Sequence, residues 1–313
     1  MRVRSRGDTM PTTRRIGVIP FEYLAPDTLE EAISHLDAED PDIRPVGGGT
    51  AVMLMMKAGV LRPTRLVSLK RVEARHREIR LDENGYLSIG GMATLAALER
   101  SPLVRAGWPV LSRTFRTLSN IRVRNVATLG GNLAHGDPHM DMPPVLSALG
   151  AKVIATSPAG SREIAVEDLC VGYYETVLQR NELISQVLVP PMTGACAAYY
   201  KVTTRAAHDW PALGLAVVLR CDGPTTIRDA EVIVAAATDR PTRLHEAEAM
   251  LRGMSPTDEQ LKQVGLAAVD ALDIVSDSHG SAGYKKHLLS VYLGRAVRTA
   301  MNSSKEGQEH DAH

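Results

Sequence analysis

The chain has 313 residues, with 36 Lys and Arg balanced by 36 Asp and Glu, so its formal net charge is zero at pH 7. This length suits about two or three compact units, and the charge balance gives no reason to expect nucleic acid or a membrane surface as a partner. No apolar run reaches the roughly 18 residues of a membrane span, so we expect no such span. A cytoplasmic location is expected from the cysteine pattern.

Three widely spaced cysteines argue against two further classes of protein. Cys170, Cys196 and Cys221 form no pattern typical of a disulfide framework, and an iron–sulfur cluster needs about four grouped thiolates. We therefore expect reduced thiols and no cluster held by this chain.

The first half of the chain reads as short helices and strands in alternation. Residues 1–16 are rich in arginine and are expected to form a flexible extension, in which Met10 is an alternative start. Asp27 and Thr28 are candidate N-cap residues of a first helix, and Asn84-Gly85 predicts a hairpin turn. The predicted helices are 29–36, 51–58, 94–100, 108–118 and 143–149, and the predicted strands are 66–69, 79–81, 86–90 and 152–155.

Two prolines followed by a flexible stretch at 190–194 predict a boundary between two units. The polar residues 301–313 are expected to be a disordered tail. Strands in short hairpin groups predict an α+β fold rather than a doubly wound parallel sheet. Beyond the boundary the predicted strands are 197–203, 213–220 and 230–237, and the predicted helices are 247–251, 258–271 and 284–301.

Two glycine-rich segments carry the strongest functional signal. The first contains Gly47-Gly48-Gly49, and the second contains Thr128-Leu129-Gly130-Gly131-Asn132. Glycine exposes backbone N–H groups and reaches positive φ, which suits a phosphate nest, so the pair predicts a diphosphate clamped between two segments. Neither segment has the G-x-G-x-x-G pattern or the P-loop ending, which disfavours a helix N-terminus cradle of those two types. Asp141 is suited to accept a hydrogen bond from a sugar or ribityl hydroxyl.

The alternating residues His135, Asp137, His139 and Asp141 permit a second interpretation. In an extended segment their side chains lie on one face, and imidazole and carboxylate groups are ligands for zinc or manganese, as in a stand-alone metallohydrolase. The intervening glycine and proline favour a loop, and no further cluster completes a metal sphere, so we predict no metal site. A third interpretation is a non-enzymatic regulator that binds a nucleotide with the two glycine segments.

Several short stretches occur in the order seen in one protein family: 21–26, 29–32, 47–57, 94–99, 125–132, 172–176, 182–184, 200–201 and 209–212. By these stretches the chain resembles the FAD-binding subunit of the molybdenum hydroxylases, such as the medium subunit of carbon monoxide dehydrogenase and the flavin domain of xanthine dehydrogenase. The resemblance runs from Phe21 to about Arg298, and the second glycine segment is its most specific part.

The resemblance implies a particular α+β architecture. A two-lobed FAD-binding domain of the vanillyl-alcohol-oxidase (PCMH) type is expected over residues 17–190, with lobes at about 17–60 and 61–190. A smaller α+β C-terminal domain is expected over 193–300.

The resemblance also implies which residues bind FAD. Lys201 is expected beside the flavin, where a cation stabilises the anionic reduced ring, and Ile184 is expected to pack on the cofactor. Tyr199 and Tyr200 are both candidates for stacking on the flavin ring, and the sequence leaves the choice open. The candidate cofactor-binding residues are Val46, Gly47, Gly48, Gly49, Thr50, Ala51, Val52, Thr128, Leu129, Gly130, Gly131, Asn132, Asp141, Ile184 and Lys201.

By the same resemblance the chain is an electron-transfer subunit of an oxidoreductase. A substrate is oxidised at a molybdenum cofactor on a large subunit, and electrons pass through [2Fe-2S] clusters of a small subunit to the FAD and then to an external acceptor. We expect a heterotrimer or a dimer of heterotrimers, and we find no nucleophile–base pair and therefore assign no catalytic residue. The substrate and the acceptor stay open, because specificity resides in another chain.

Overall fold

The computed structural model describes residues 20–223 and 225–310, with side chains through Ser303. The predicted extension over 1–16, with its alternative start, lies outside these residues. Within them, no helix combines the length and the apolar character that crossing a membrane requires.

A three-stranded parallel sheet forms the first lobe. Its strands are ordered β1 (Glu22–Leu24), β3 (Arg65–Ser68) and β2 (Ile43–Val46). Helix α1 (Leu29–Ser34) begins at Thr28 as predicted, because the Thr28 hydroxyl accepts the Glu31 N–H at 3.0 Å. Helix α2 (Thr50–Lys57) follows β2, so the first glycine segment leaves the carboxyl end of an edge strand.

A five-stranded antiparallel sheet and a layer of short helices form the second lobe. Its strands are ordered β4 (Ile79–Leu81), β5 (Leu87–Gly90), β10 (Leu183–Val189), β6 (Lys152–Ser157) and β7 (Gly160–Ala165). Its helices are α3 (Leu95–Arg100), α4 (Pro102–Gly107), α5 (Pro109–Thr117), α6 (Ile121–Arg124), α7 (Leu129–Ala134), α8 (Met142–Ala148) and α9 (Val166–Leu169). Phe115 of α5 and Leu87 of β5 are fully buried in the core between these layers.

Smaller elements complete this lobe. Two 3₁₀ helices, Leu69–Arg71 and Ala74–Arg77, connect it to the first lobe, and a small hairpin pairs β8 (Cys170–Gly172) with β9 (Glu175–Thr176). The predicted turn at Asn84-Gly85 is confirmed, since Gly85 has φ of +79° between the paired strands β4 and β5.

A four-stranded antiparallel sheet with three helices forms the last part of the described chain. The strands are ordered β11 (Ala195–Val202), β12 (Leu213–Asp222), β13 (Thr226–Ala235) and β14 (Thr242–Arg243). The helices are α10 (His245–Leu251), α11 (Asp258–Asp270) and α12 (Ala282–His310). A Cβ on Gly265 would lie 2.3 Å from the Ser290 carbonyl oxygen, so only glycine permits this close crossing of α11 and α12.

Strand β12 is buried on both faces, which explains its unbroken apolar run. Leu215 and Val217 lie in a core with α10, α11 and α12, whereas Ala216 and Val218 belong to the core of the second lobe. Successive side chains of a strand point to opposite faces. The last sheet is therefore packed between its own helices and the second lobe.

The α+β class is as predicted, but several elements differ from the sequence prediction. The prediction that a disordered tail starts at residue 301 is wrong, because α12 continues to His310. Residues 311–313 lie outside the described part. Helix formation propagates easily from a packed helix, and Ala300 and Met301 are still buried. Helix α7 also lies where the sequence predicted a loop through the second glycine segment.

Candidate cofactor-binding site

The structure brings the two glycine segments into direct contact. A Cβ on Gly48 would lie 2.0 Å from the Val126 carbonyl oxygen and 2.7 Å from the Ala127 Cα. A Cβ on Gly47 would lie 2.5 Å from the Thr128 hydroxyl oxygen. Side chains larger than hydrogen therefore do not fit at these two positions without a backbone shift.

The first glycine segment presents unpaired backbone N–H groups. Gly49 has φ of +71° and is the N-cap of α2, where no side chain caps the helix. The first N–H groups of a helix have no acceptor within the helix. Among the described residues, no acceptor forms a hydrogen bond with the backbone N–H of Thr50, Ala51 or Val52. Together with the positive end of the helix dipole, these groups suit a phosphate. The sequence disfavoured only cradles of the P-loop and G-x-G-x-x-G types, and neither pattern is present; the donors here belong to a helix N-terminus of another kind.

The second glycine segment uses its N–H groups within the protein. The Leu129 N–H donates to the Ala93 carbonyl at 2.9 Å, and the Gly130 N–H donates to the Gly91 carbonyl at 2.8 Å. The Thr128 hydroxyl caps α7 by accepting the Gly131 N–H at 3.2 Å. The predicted nest of positive-φ glycines is therefore wrong for this segment.

The glycines of the second segment serve close packing instead. A Cβ on Gly130 would lie 2.7 Å from the Gly91 carbonyl oxygen and 3.1 Å from that of Ile184. A Cβ on Gly91 would lie 1.9 Å from the same Ile184 oxygen. Gly91 was missed in the sequence, although its position beside Gly90 at the end of a predicted strand was a usable signal. Gly131 is exposed, and a Cβ there would approach only the Thr128 hydroxyl, at 3.0 Å.

Asn132, at the end of the second segment, has an unused buried acceptor. Its side-chain amide donates to the Met140 sulfur at 3.2 Å, while its Oδ1 is buried without a partner among the described residues. Buried polar atoms are nearly always hydrogen-bonded, so an orphaned one calls for a ligand or a water. A hydroxyl of a bound cofactor fits this atom.

Asp141 and Lys201 form a buried ion pair. The Lys201 ammonium donates to Asp141 Oδ2 at 2.8 Å and to the Thr117 carbonyl at 3.2 Å, and the Tyr199 hydroxyl donates to Asp141 Oδ1 at 2.7 Å. The side chains of Asp141 and Lys201 are 4% and 7% exposed. Burial raises the pKa of the Asp141 carboxyl, while Lys201 and Tyr199 oppose that rise. Both Asp141 oxygens thus have protein donors, which its predicted role as a free acceptor did not anticipate.

The two candidate tyrosines face opposite sides of β11. Tyr199 packs against the core of the second lobe, on the same face as Lys201. Tyr200 packs against the C-terminal core, where its hydroxyl lies 2.9 Å from the Thr299 hydroxyl and its ring meets Tyr292 edge-on. Ile184 is 3% exposed and packs in the second-lobe core. Tyr199 and Lys201 are therefore near Asp141, and Tyr200 is not.

The histidine–aspartate set does not converge on one point. His139 contacts Asp137 and Asp277, Asp141 contacts Lys201, and the His135 ring lies edge-on to Tyr174. The Asp137 carboxylate accepts the His139 N–H at 2.9 Å, which bends the segment into a turn rather than an extended strand. In the described part of the chain, no group of three or more His, Cys, Asp or Glu residues is arranged to hold a metal. The metallohydrolase alternative is not supported.

Comparison with known proteins agrees with this geometry over nearly the whole chain. The profile described as FAD binding domain in molybdopterin dehydrogenase matches residues 19–192, and that of the CO dehydrogenase flavoprotein C-terminal domain matches residues 198–300. The nicotine 6-hydroxylase medium subunit of Paenarthrobacter nicotinovorans is 32% identical over 88% of this chain and 96% of its own. The carbon monoxide dehydrogenase medium chain of Hydrogenophaga pseudoflava is 30% identical over 91% of this chain and 96% of its own.

Solved structures give the same result for the fold. A chain of reconstituted CO dehydrogenase from Oligotropha carboxidovorans superposes with a TM-score of 0.85 at 30% identity, covering 90% of this chain and 98% of the other. A chain of quinoline 2-oxidoreductase from Pseudomonas putida 86 superposes with a TM-score of 0.85 at 28% identity, covering 91% and 98%.

Fold and site thus define a flavoprotein subunit of an oxidoreductase, with an α+β FAD-binding domain followed by a smaller α+β domain, and the predicted fold class is confirmed. The chain belongs to the family of FAD-binding medium subunits of the molybdenum hydroxylases.

Proposed function

We propose that this chain binds FAD across the two glycine segments and passes electrons from [2Fe-2S] clusters of a small partner subunit to an external acceptor. A large partner subunit carries the molybdenum cofactor at which a substrate is oxidised. The names of this chain's relatives support the proposal, since the relatives are medium chains or medium subunits of dehydrogenases and a hydroxylase. One similar structure is a CO dehydrogenase described as lacking the Mo-pyranopterin moiety of its molybdenum cofactor.

The observation that carries the proposal is the uncapped N-terminus of α2 beside the contact between the glycine segments. The N–H groups of Thr50, Ala51 and Val52 are the donors for the diphosphate, and Val46, Gly47, Gly48 and Gly49 bring the backbone close to it. Thr128, Leu129, Gly130 and Gly131 form the opposing wall. In this arrangement the first segment supplies the hydrogen-bond donors for the phosphates, and the second segment shapes the wall of the site.

The remaining candidates act on the rest of the cofactor. Asn132 Oδ1 accepts a hydrogen bond from a cofactor hydroxyl. Two protons of the Lys201 ammonium are used by Asp141 and Thr117, and the third is available to a flavin ring. Bound FAD supplies the redox chemistry, while Asp141 holds the lysine and Ile184 closes the apolar side.

The sharpest test of the site is Gly131→Ala. Alanine is favoured over glycine in a helix by about 1 kcal/mol, so the free energy of unfolding should stay level or rise slightly despite the 3.0 Å approach to Thr128. The added methyl lies on the exposed face where the proposal puts the diphosphate, so FAD affinity should fall by at least about tenfold. Fluorescence titration of the apo-protein with FAD measures this.

Gly283→Ala is the matched control, because Gly283 is an exposed glycine of α12 and a Cβ there would have no atom within 4 Å. It should leave FAD affinity unchanged. Equal affinity in wild type and Gly131→Ala would remove the second segment from the site. The assembly is tested separately: the native protein should co-purify with a molybdenum-containing large chain and an iron–sulfur small chain, and an active monomer would contradict it.

A further inference from the structure

Four charged side chains form a continuous chain of contacts between the flavin-binding part and the C-terminal part. Asp137 Oδ1 lies 3.0 Å from His139 Nδ1, and His139 Nε2 lies 2.8 Å from Asp277 Oδ2. The same Asp277 oxygen accepts a hydrogen bond from the Lys285 ammonium. We call these four side chains the ion chain. Lys285 is completely buried and lies on α12.

The ion chain holds the segment 135–141, which joins two parts of the proposed FAD site. Asn132 lies on α7 immediately before this segment, and Asp141 is the N-cap of α8 at its end. The backbone adds a parallel connection, because the Ala236 N–H donates to the Pro138 carbonyl at 2.9 Å.

Ala236 is itself part of this connection. Its carbonyl accepts from the Lys285 ammonium at 2.5 Å, and its φ is +64°, which is unusual for a residue other than glycine. Strained residues of this kind persist only where the surrounding structure fixes them and are frequent at functional sites. Removing one partner of a buried charge leaves the other uncompensated, so the contacts are mutually dependent.

The protonation state of His139 follows from its contacts. Carboxylates only accept hydrogen bonds, so contacts through both ring nitrogens require two N–H donors and hence the imidazolium form. Burial raises the pKa of Asp277, but the bonds from Lys285 and His139 outweigh it and hold the value at about 2. Burial lowers the pKa of His139, but the bonds to Asp137 and Asp277 outweigh it and raise the net value. The charges along the chain alternate and cancel.

We infer that the C-terminal part positions the segment 135–141 through the ion chain and thereby sets the positions of Asn132 and Asp141, so that Asp277 and Lys285 are positioning residues for FAD although neither is in the proposed site. This inference rests on the proposed function of Asn132 and Asp141. The site binds FAD only when the segment is in the arrangement that the ion chain fixes, so the apparent affinity falls in proportion to the fraction of molecules in that arrangement.

A dependence on pH follows from the imidazolium. The ionisable groups facing His139 are His135, Asp137, Tyr174, Asp277, His279 and Lys285. Burial lowers the pKa of His135 and of His279, burial raises that of Tyr174, and the pKa of each of the two aspartates is lowered. His139 is thus the group that loses its charge at a pH above 6.5, the ordinary pKa of a histidine. The ion chain is complete below the raised His139 pKa and is lost as pH rises through it.

The test compares FAD titrations of wild type, Asp277→Asn and Glu248→Gln, using the full chain with FAD as the probe. Asparagine at 277 keeps an oxygen for the His279 and Gly280 N–H groups but directs an NH₂ group or a neutral oxygen at His139 and Lys285. Glu248→Gln is the matched control. The Glu248 side chain is a buried carboxylate of the C-terminal part that pairs with Arg243, and it makes no described contact with 135–141. Affinity should fall about tenfold in Asp277→Asn alone.

His139→Gln provides a second variant that keeps one neutral amide in place of the imidazolium. Wild-type FAD affinity should fall as pH rises through the His139 pKa, and this step should be absent from His139→Gln. Amide hydrogen exchange without FAD should show faster exchange across 135–141 in both Asp277→Asn and His139→Gln.

Each outcome has one meaning. Failure of wild type to bind FAD overturns the proposed function and, with it, this inference. Wild-type binding with unchanged affinity in both variants overturns the inference alone, as does an equal loss in Glu248→Gln. A pH step that persists in His139→Gln also overturns it.

Discussion

The two glycine segments have similar compositions and different physical roles. In the first, Gly49 adopts positive φ and opens a helix whose leading N–H groups are unpaired. In the second, the N–H groups of Leu129 and Gly130 are already bonded to a neighbouring backbone, and glycine is needed only because chains pass so close. Glycine content therefore indicates close approach to something, and only the structure shows whether that is a ligand or the protein itself.

The same division extends to Asp141, which follows the second segment and is also committed to the protein. Replacing Lys201 by Met leaves this buried carboxylate unpaired, which should cost about 3–5 kcal/mol of unfolding free energy. Urea unfolding measures it, and Lys152→Met is the control, since its pair with Glu163 is exposed to solvent and contributes little to stability. A free acceptor role for Asp141 would instead predict little loss of stability.

The pH profile of Lys201→Met sharpens this prediction. Without the ammonium, only the Tyr199 hydrogen bond still opposes the effect of burial, so the pKa of Asp141 rises further above the ordinary 3.8. A carboxyl whose pKa is raised in the folded state binds its proton more tightly there, so stability is greatest below the ordinary value and is lost as pH rises toward the folded-state pKa. Unfolding at acid and neutral pH should therefore show a larger deficit at neutral pH.

Gly48→Ala tests the contact between the segments. The methyl would lie 2.0 Å from the Val126 carbonyl oxygen, so the backbone must move apart at a cost of about 1–3 kcal/mol. FAD content should fall with it. Gly107→Ala is the control because nothing lies within 4 Å of that position. If Gly48→Ala is as stable as the control, the segments are not packed as described.

Thr128→Val removes a helix cap and changes the surface beside Gly47. Loss of an N-cap costs about 1 kcal/mol, and Thr257→Val removes the comparable cap of α11. Both variants should lose similar stability in thermal unfolding, but only Thr128→Val should weaken FAD binding. Equal FAD affinity in the two would show that the Thr128 hydroxyl acts on α7 alone.

Much of the fold could be predicted because its signals are local. Thr28 caps the first helix as its sequence position indicates, and Asn84-Gly85 marks a turn. The partners of Asp141 and of His139 could not be predicted, because Lys201 and Asp277 lie 60 and 138 residues away in the chain. The sequence also could not show that the leading N–H groups of α2 lack hydrogen bonds, because this depends on whether any distant residue places an acceptor beside them.

Strand β12 has a consequence for how the molecule comes apart. The two family matches meet between residues 192 and 198, yet Ala197, Ala216, Val218 and Ile233 belong to the core of the preceding lobe. A fragment cut at this junction would expose that apolar surface and would tend to aggregate. The boundary between the two family matches is therefore not a boundary between two independently folding units. Heat or denaturant should unfold the protein in one cooperative transition.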